Sequence, residues 1–86
     1  MSEPDHVRAH ENSSLHRAEI SKSTLCGCFY CLGTFTPAEI VEWIDKVEGV
    51  AQTALCPTCG IDAVIGSASG YPITEDFLKR MNEHWF

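Results

Sequence analysis

Leu25-Cys-Gly-Cys-Phe-Tyr-Cys-Leu-Gly33 and Leu55-Cys-Pro-Thr-Cys-Gly60 each hold two cysteines separated by two residues, Cys28 with Cys31 and Cys56 with Cys59. That spacing, with a glycine just beyond, lets the backbone close into a tight knuckle whose amides point at sulfur. Two such knuckles supply four soft thiolates at the corners of a tetrahedron, the arrangement a structural zinc ion prefers. The expectation is one structural Zn2+ held by Cys28, Cys31, Cys56 and Cys59. Cys26 offers a second way to complete the first pair, but it leaves four residues before Cys31. The two-residue gap favours Cys28, and Cys26 then reads as a small buried apolar residue or as a free thiol beside the metal. A redox pair of the thioredoxin kind is disfavoured, because two Cys-x-x-Cys units stand in so short a chain.

Chain length gives the metal its purpose. A chain of 86 residues buries only roughly 60–65% of its unfolded surface. The first 24 are poor in large apolar side chains, so the core is drawn from residues 25–86. Domains of this size commonly need a staple, either disulfides or a metal. No apolar run approaches the roughly 20 residues that span a bilayer, and Met-Ser-Glu-Pro-Asp-His is not a secretory start. The cytoplasm is the expected compartment, where an odd count of five cysteines suits a metal site plus one spare thiol.

Outward from the cysteines, the chain divides into a polar N-terminal arm, 1–24, and a single zinc-knuckle domain, 25–86. The arm carries His6, His10 and His16, and Ser14 is placed to cap a short helix through Leu15, Ala18 and Ile20. It is either mobile or a helix that orders on docking. The 24 residues between Cys31 and Cys56 leave room for a helix. Thr36 at its N-cap, Pro37 at its first position and Glu39 as the capping-box partner all favour one. Ile40, Trp43, Ile44 and Val47 recur at three- and four-residue spacing, Gly49 reads as its stop, and Trp43 is expected over the zinc layer. Val50 to Leu55 reads as a strand, and Ala63-Val64-Ile65 as its return. After a turn at 66–70, Thr74 caps a second helix with Phe77, Leu78, Met81 and Trp85 on one face. The predicted fold is a small α+β zinc-binding domain: two zinc knuckles on short strands, a capped helix between them and a C-terminal helix.

Function is less constrained. Six basic and twelve acidic residues give a formal charge of −6, and four thiolates around one divalent ion would take it to −8. Nucleic-acid binding draws on Lys and Arg neutralising phosphates, and here only Lys79-Arg80 are adjacent. A nucleic-acid-binding zinc ribbon is therefore the weaker alternative. A His-Asn-His nuclease would need its His and Asn between the cysteine pairs. Neither residue occurs there, so catalysis would have to be assembled from the terminal arms, with His10 and His16 the residues to test. His6 and His10, four apart, are compatible with a second metal but more simply solvated. No phosphate-cradling glycine loop or Gly-x-Ser-x-Gly elbow is present. Asp62, three residues past Cys59, is placed to brace the knuckle amides. Trp85 and Phe86 close the sequence as an aromatic pair, either docked on the body or held out as a contact site.

The run Cys26-Gly-Cys-Phe-Tyr-Cys31, then Phe35-x-Pro37-x-Glu39-Ile40, Trp43-x-Asp45 and Thr53-Ala-Leu-Cys-Pro-x-Cys-Gly-Ile-Asp-Ala-Val-Ile65, resembles a family of small bacterial proteins labelled only as cytoplasmic or hypothetical. The resemblance implies a bacterial cytoplasmic zinc protein and brings no activity with it. More distantly, the knuckles are similar to those of zinc ribbons and treble clefs, a likeness of fold. With no catalytic constellation, an acidic surface and terminal aromatics, the expected function is a zinc-stabilised protein-interaction or adaptor module, of which an inhibitor- or immunity-like protein is one form, whose partner is a basic protein.

Overall fold

A computed structural model describes residues 5–86. Helices α1 (Asp5–Arg8) and α2 (Arg17–Lys22) flank a 3-10 turn at Ala9–Ser13. Strands β1 (Cys26–Cys28), β2 (Thr34–Phe35), β3 (Trp43–Val47), β4 (Val50–Ala54) and β5 (Val64–Gly66) follow, and helix α3 (Glu75–Trp85) ends the chain. The strands make two antiparallel sheets, one of order β2-β1-β5 and a β3-β4 hairpin. In the first, Cys26 faces Phe35 on one side and Gly66 on the other, and Cys28 faces Val64. The observed class is therefore α+β, as the pattern predicts. None of the described helices is long and apolar enough to cross a membrane.

The segment between the cysteine pairs departs from the prediction. The Thr36 cap forms: the Glu39 carboxylate accepts from the Thr36 amide at 2.6 Å. It closes only one 3-10 turn, Pro37–Glu39, and the chain then enters β3. Ile40, Trp43, Ile44 and Val47 fit a helical stripe, but with Val41 and Val50 they are also the β-branched and aromatic residues that fill strands. Gly49, predicted as the helix stop, and Glu48 before it both have positive φ (84° and 53°). They form the two-residue turn whose twist matches a hairpin. Pairing of Trp43 with Ala54 and Val47 with Val50 outweighs the local cap. Trp43 is half-buried at the edge of the core, with the Arg17 guanidinium 4.5 Å from its ring centre.

The described part of the N-terminal segment packs into the same core as the rest through Ala9 and Ile20. Ala9, Ser13, His16 and Ile20, spaced by four, three and four, are all buried. The composition change near residue 25 is not a packing boundary. The helix predicted from Ser14 begins only at Arg17. Ahead of it Leu15 takes φ 49° and is 63% exposed. The reason is tertiary: the Leu15 amide donates to Thr53 Oγ1 at 2.9 Å and the His16 amide to the Gln52 carbonyl at 2.9 Å. Those bonds to β4 replace the helical start. The C-terminal helix follows its prediction closely. Thr74 Oγ1 accepts from the Phe77 amide, and Phe77, Leu78 and Met81 are its buried face.

Gly66 joins α2 to this sheet, since a Cβ there would collide with the Ser23 hydroxyl and stand 3.0 Å from Ile20 Cδ1. That hydroxyl donates to the Glu19 carbonyl at 2.9 Å and accepts from the Ala68 amide at 3.0 Å. Gly66→Ala is expected to cost about 1–3 kcal/mol through overpacking, read as a lowered denaturant midpoint with an unchanged slope.

Candidate metal centre

The first cysteine pair lies in the turn between β1 and β2, the second in the connection from β4 to β5. The two turns repeat one hydrogen-bond scheme. The Cys28 carbonyl accepts from the Leu32 amide and the Cys28 amide donates to the Gly33 carbonyl; Cys56 does the same with Gly60 and Ile61. The amide two residues on points at sulfur in both, Tyr30 to Cys28 Sγ and Thr58 to Cys56 Sγ, each at 3.4 Å. The fifth residue of each turn must take the left-handed conformation. Gly60 does so at φ 77°, and in the first turn Leu32 does so at φ 65°, carrying the Cβ penalty that glycine avoids. The Phe29 amide donates to the Ala63 carbonyl at 2.9 Å, tying one turn to the other.

This pairing brings together the four sulfurs that the spacing singles out. All four lie within 4.8 Å of one another. Cys28 Sγ is 3.6 Å from Cys59 Sγ and Cys31 Sγ is 3.7 Å from Cys56 Sγ. A disulfide would need about 2.05 Å. Four thiolates around one zinc-sized ion, with metal–sulfur bonds near 2.3 Å, stand about 3.8 Å apart. The residues fit a tetrahedral metal ion. Among the described residues, no other cluster of three or more His, Cys, Asp or Glu ligand atoms gathers so closely. His6 and His10 therefore do not assemble a comparable second site.

Electrostatics set Cys28 and Cys56 apart. Burial pushes the Cys28 thiol well above its ordinary range, outweighing the amides of Cys31 and Tyr30. Burial also raises Cys56, but the amides of Cys59 and Thr58, with the neighbouring sulfurs, bring it below its usual value. A bound cation would favour all four thiolates, so binding releases protons. Cys28 and Cys56 are buried, Cys59 is half-buried and Cys31 is exposed, which leaves one edge of the centre open to a chelator. Cys26 stands apart within β1, fully buried, its thiol pushed up to about 11 by burial. It fits the reading as an apolar core residue.

The remaining predicted positions fall elsewhere. His16 is buried, and both ring nitrogens are engaged by backbone: Nδ1 lies 2.6 Å from the Asn12 carbonyl, and Nε2 accepts from the Ala54 amide at 3.1 Å. That removes it from the nuclease pair considered with His10. Asp62 does not brace the cysteine turns; it is exposed and lines a cleft with His10, Phe29, Trp85 and Phe86. Sequence reasoning missed this grouping, because His10 and Trp85 lie at opposite ends of the chain and no local pattern links them. No family model, curated protein or solved structure matches this chain.

Proposed function

We propose that this chain is a zinc-stabilised protein-interaction module of the cytoplasm, an adaptor or inhibitor whose partner is a basic protein. In this reading Cys28, Cys31, Cys56 and Cys59 form two zinc knuckles around one structural Zn2+. The observation that carries it is the gathering of four sulfurs within 4.8 Å, two pairs of them at 3.6 and 3.7 Å. Four thiolates fill the coordination sphere of zinc and leave no position for water or substrate. The metal then serves architecture and the outer surface serves function. That surface is acidic, with a formal charge of −6. It exposes Val41, Ile44, Val47 and Val50 around the hairpin and Trp85 and Phe86 at the C-terminus.

Capture on the immobilised, zinc-loaded chain tests this reading. The expected result is a basic protein retained at a fixed ratio to the bait, unaffected by nuclease treatment and released by raised salt. Retention of nucleic acid alone, or of no protein at a fixed ratio, contradicts it.

A further inference from the structure

Beside the first cysteine turn, where the N-terminal 3-10 turn meets the end of α3, lies a cleft of about 290 Å³. Its walls are aromatic. The His10 ring lies 4.0 Å from that of Trp85 and 5.9 Å from that of Phe29, and Phe86 lies 5.8 Å from Phe29. Trp85 and Phe86 are 39% and 61% exposed, so part of their aromatic surface stays accessible at the cleft beside the His10, Phe29 and Tyr30 rings that pack on them. Among the described residues, Asp62 supplies the only carboxylate side chain of the lining, and none of the Lys and Arg side chains lines the cleft.

Aromatic faces carry negative potential and attract cations. A carboxylate at the same opening, on a chain of charge −6, reinforces that sign and disfavours anions. A guanidinium suits the combination better than an ammonium. It is planar and weakly hydrated, it stacks on rings, and it pairs with a carboxylate through two parallel N–H donors. The chain already makes one such stack internally, with Arg17 over Trp43 at 4.5 Å.

We infer that the cleft bounded by Phe29, Trp85, Phe86 and Asp62 receives an arginine side chain of the partner protein. This rests on the interaction reading above and names the group that is recognised. The cleft also explains a use for the metal centre. Phe29 belongs to the first cysteine turn and Asp62 follows the second, so the centre that ties the turns together sets the distance between ring and carboxylate.

The test is titration of the full, zinc-loaded chain with N-acetylarginine N-methylamide, followed through the indole N–H signals of Trp85 and Trp43. Trp43, already covered by Arg17, is the internal reference. The expected result is a saturable shift at Trp85 that greatly exceeds any at Trp43. The neutral citrulline analogue, of nearly the same shape, binds at least tenfold more weakly. Asp62→Asn, a change at an exposed residue, weakens arginine binding about tenfold, the worth of one charge-assisted contact. Equal response to arginine and citrulline, an unchanged affinity in Asp62→Asn, or no saturable shift at Trp85 overturns the inference. Because the citrulline comparison uses the unaltered chain, it stands even if a variant folds poorly. Failure here together with capture of a basic protein removes the cleft and leaves the interaction reading in place.

Discussion

Stripping the metal from the Cys28–Cys31–Cys56–Cys59 centre is expected to abolish cooperative unfolding of the chain. Zinc–thiolate binding in small domains is worth on the order of 10–16 kcal/mol, whereas whole domains are stable by roughly 5–15 kcal/mol. The loss would thus match or exceed everything that holds the chain folded. The structure says where it would be felt. The first turn is the connection from β1 to β2 and the second is the route from the hairpin back to β5. Without a cation, the four sulfurs crowded within 4.8 Å make only weak thiol contacts, and the backbone pairing around Phe29 and Ala63 is left to hold the turns together. Cys28→Ser or Cys56→Ser should leave a chain without a sharp melting transition. Cys26→Ala serves as the control, since that thiol lies outside the cluster. It should keep its metal and lose about 1–2 kcal/mol from a small cavity. A sharp transition that survives stringent chelation would show that the core is sufficient by itself.

The second large effect is expected at His16. Its imidazole, 5% exposed, links three parts of the fold: the Asn12 carbonyl, the Ala54 amide of β4 and its own place in the N-terminal stripe. His16→Ala removes a buried ring and leaves a buried donor and acceptor without partners, a loss of about 2–4 kcal/mol. The same geometry fixes a pH dependence. Nε2 accepts from Ala54, so the ring must be neutral with its proton on Nδ1, donating to Asn12. Burial lowers the His16 pKa below 6.5, only partly opposed by the Asn12 carbonyl and the Glu19 carboxylate. The unfolded chain therefore binds this proton first as the pH falls. The stability that His16 contributes is complete above about pH 6.5 and declines below it, toward the lowered folded value. Denaturant midpoints measured from about pH 7.5 down to 5.5 should fall for the parent chain. They should fall less for His16→Gln, which is weaker at neutral pH but carries no titrating ring. Equal slopes in the two chains would remove His16 as the cause and leave proton competition at the thiols.

The parts of this fold that were legible beforehand are those in which local chemistry and tertiary packing agree. The cysteine spacing singles out the four sulfurs that the structure gathers. Thr74 followed by the Phe77, Leu78 and Met81 stripe yields α3 with the expected cap. Val50–Leu55 and Ala63–Ile65 become β4 and β5 within a residue at each end, but β5 is not the return of β4: it pairs with β1, and β4 pairs with β3. The sequence is ambiguous where two periods fit the same letters. Ile40, Trp43, Ile44 and Val47 satisfy a helical stripe, yet as branched and aromatic residues ahead of Glu48-Gly49 they pair as a hairpin. A correct local signal, the Thr36–Glu39 cap, ends after a single turn. The N-terminal stripe was hidden for another reason. Ala9, Ser13 and His16 are buried although none is a large apolar residue, and the β4 partners of Leu15 and His16 lie 36–38 residues away. The aromatic cleft is assembled from both ends of the chain and has no local signature at all.

Native mass spectrometry of the purified chain, before and after chelation, tests the central claim most directly. The account predicts one zinc per chain, lost from Cys28→Ser, Cys31→Ser, Cys56→Ser and Cys59→Ser and kept by Cys26→Ala. A chain that carries no metal yet still unfolds cooperatively, or one that carries an iron–sulfur cluster in place of zinc, would contradict it.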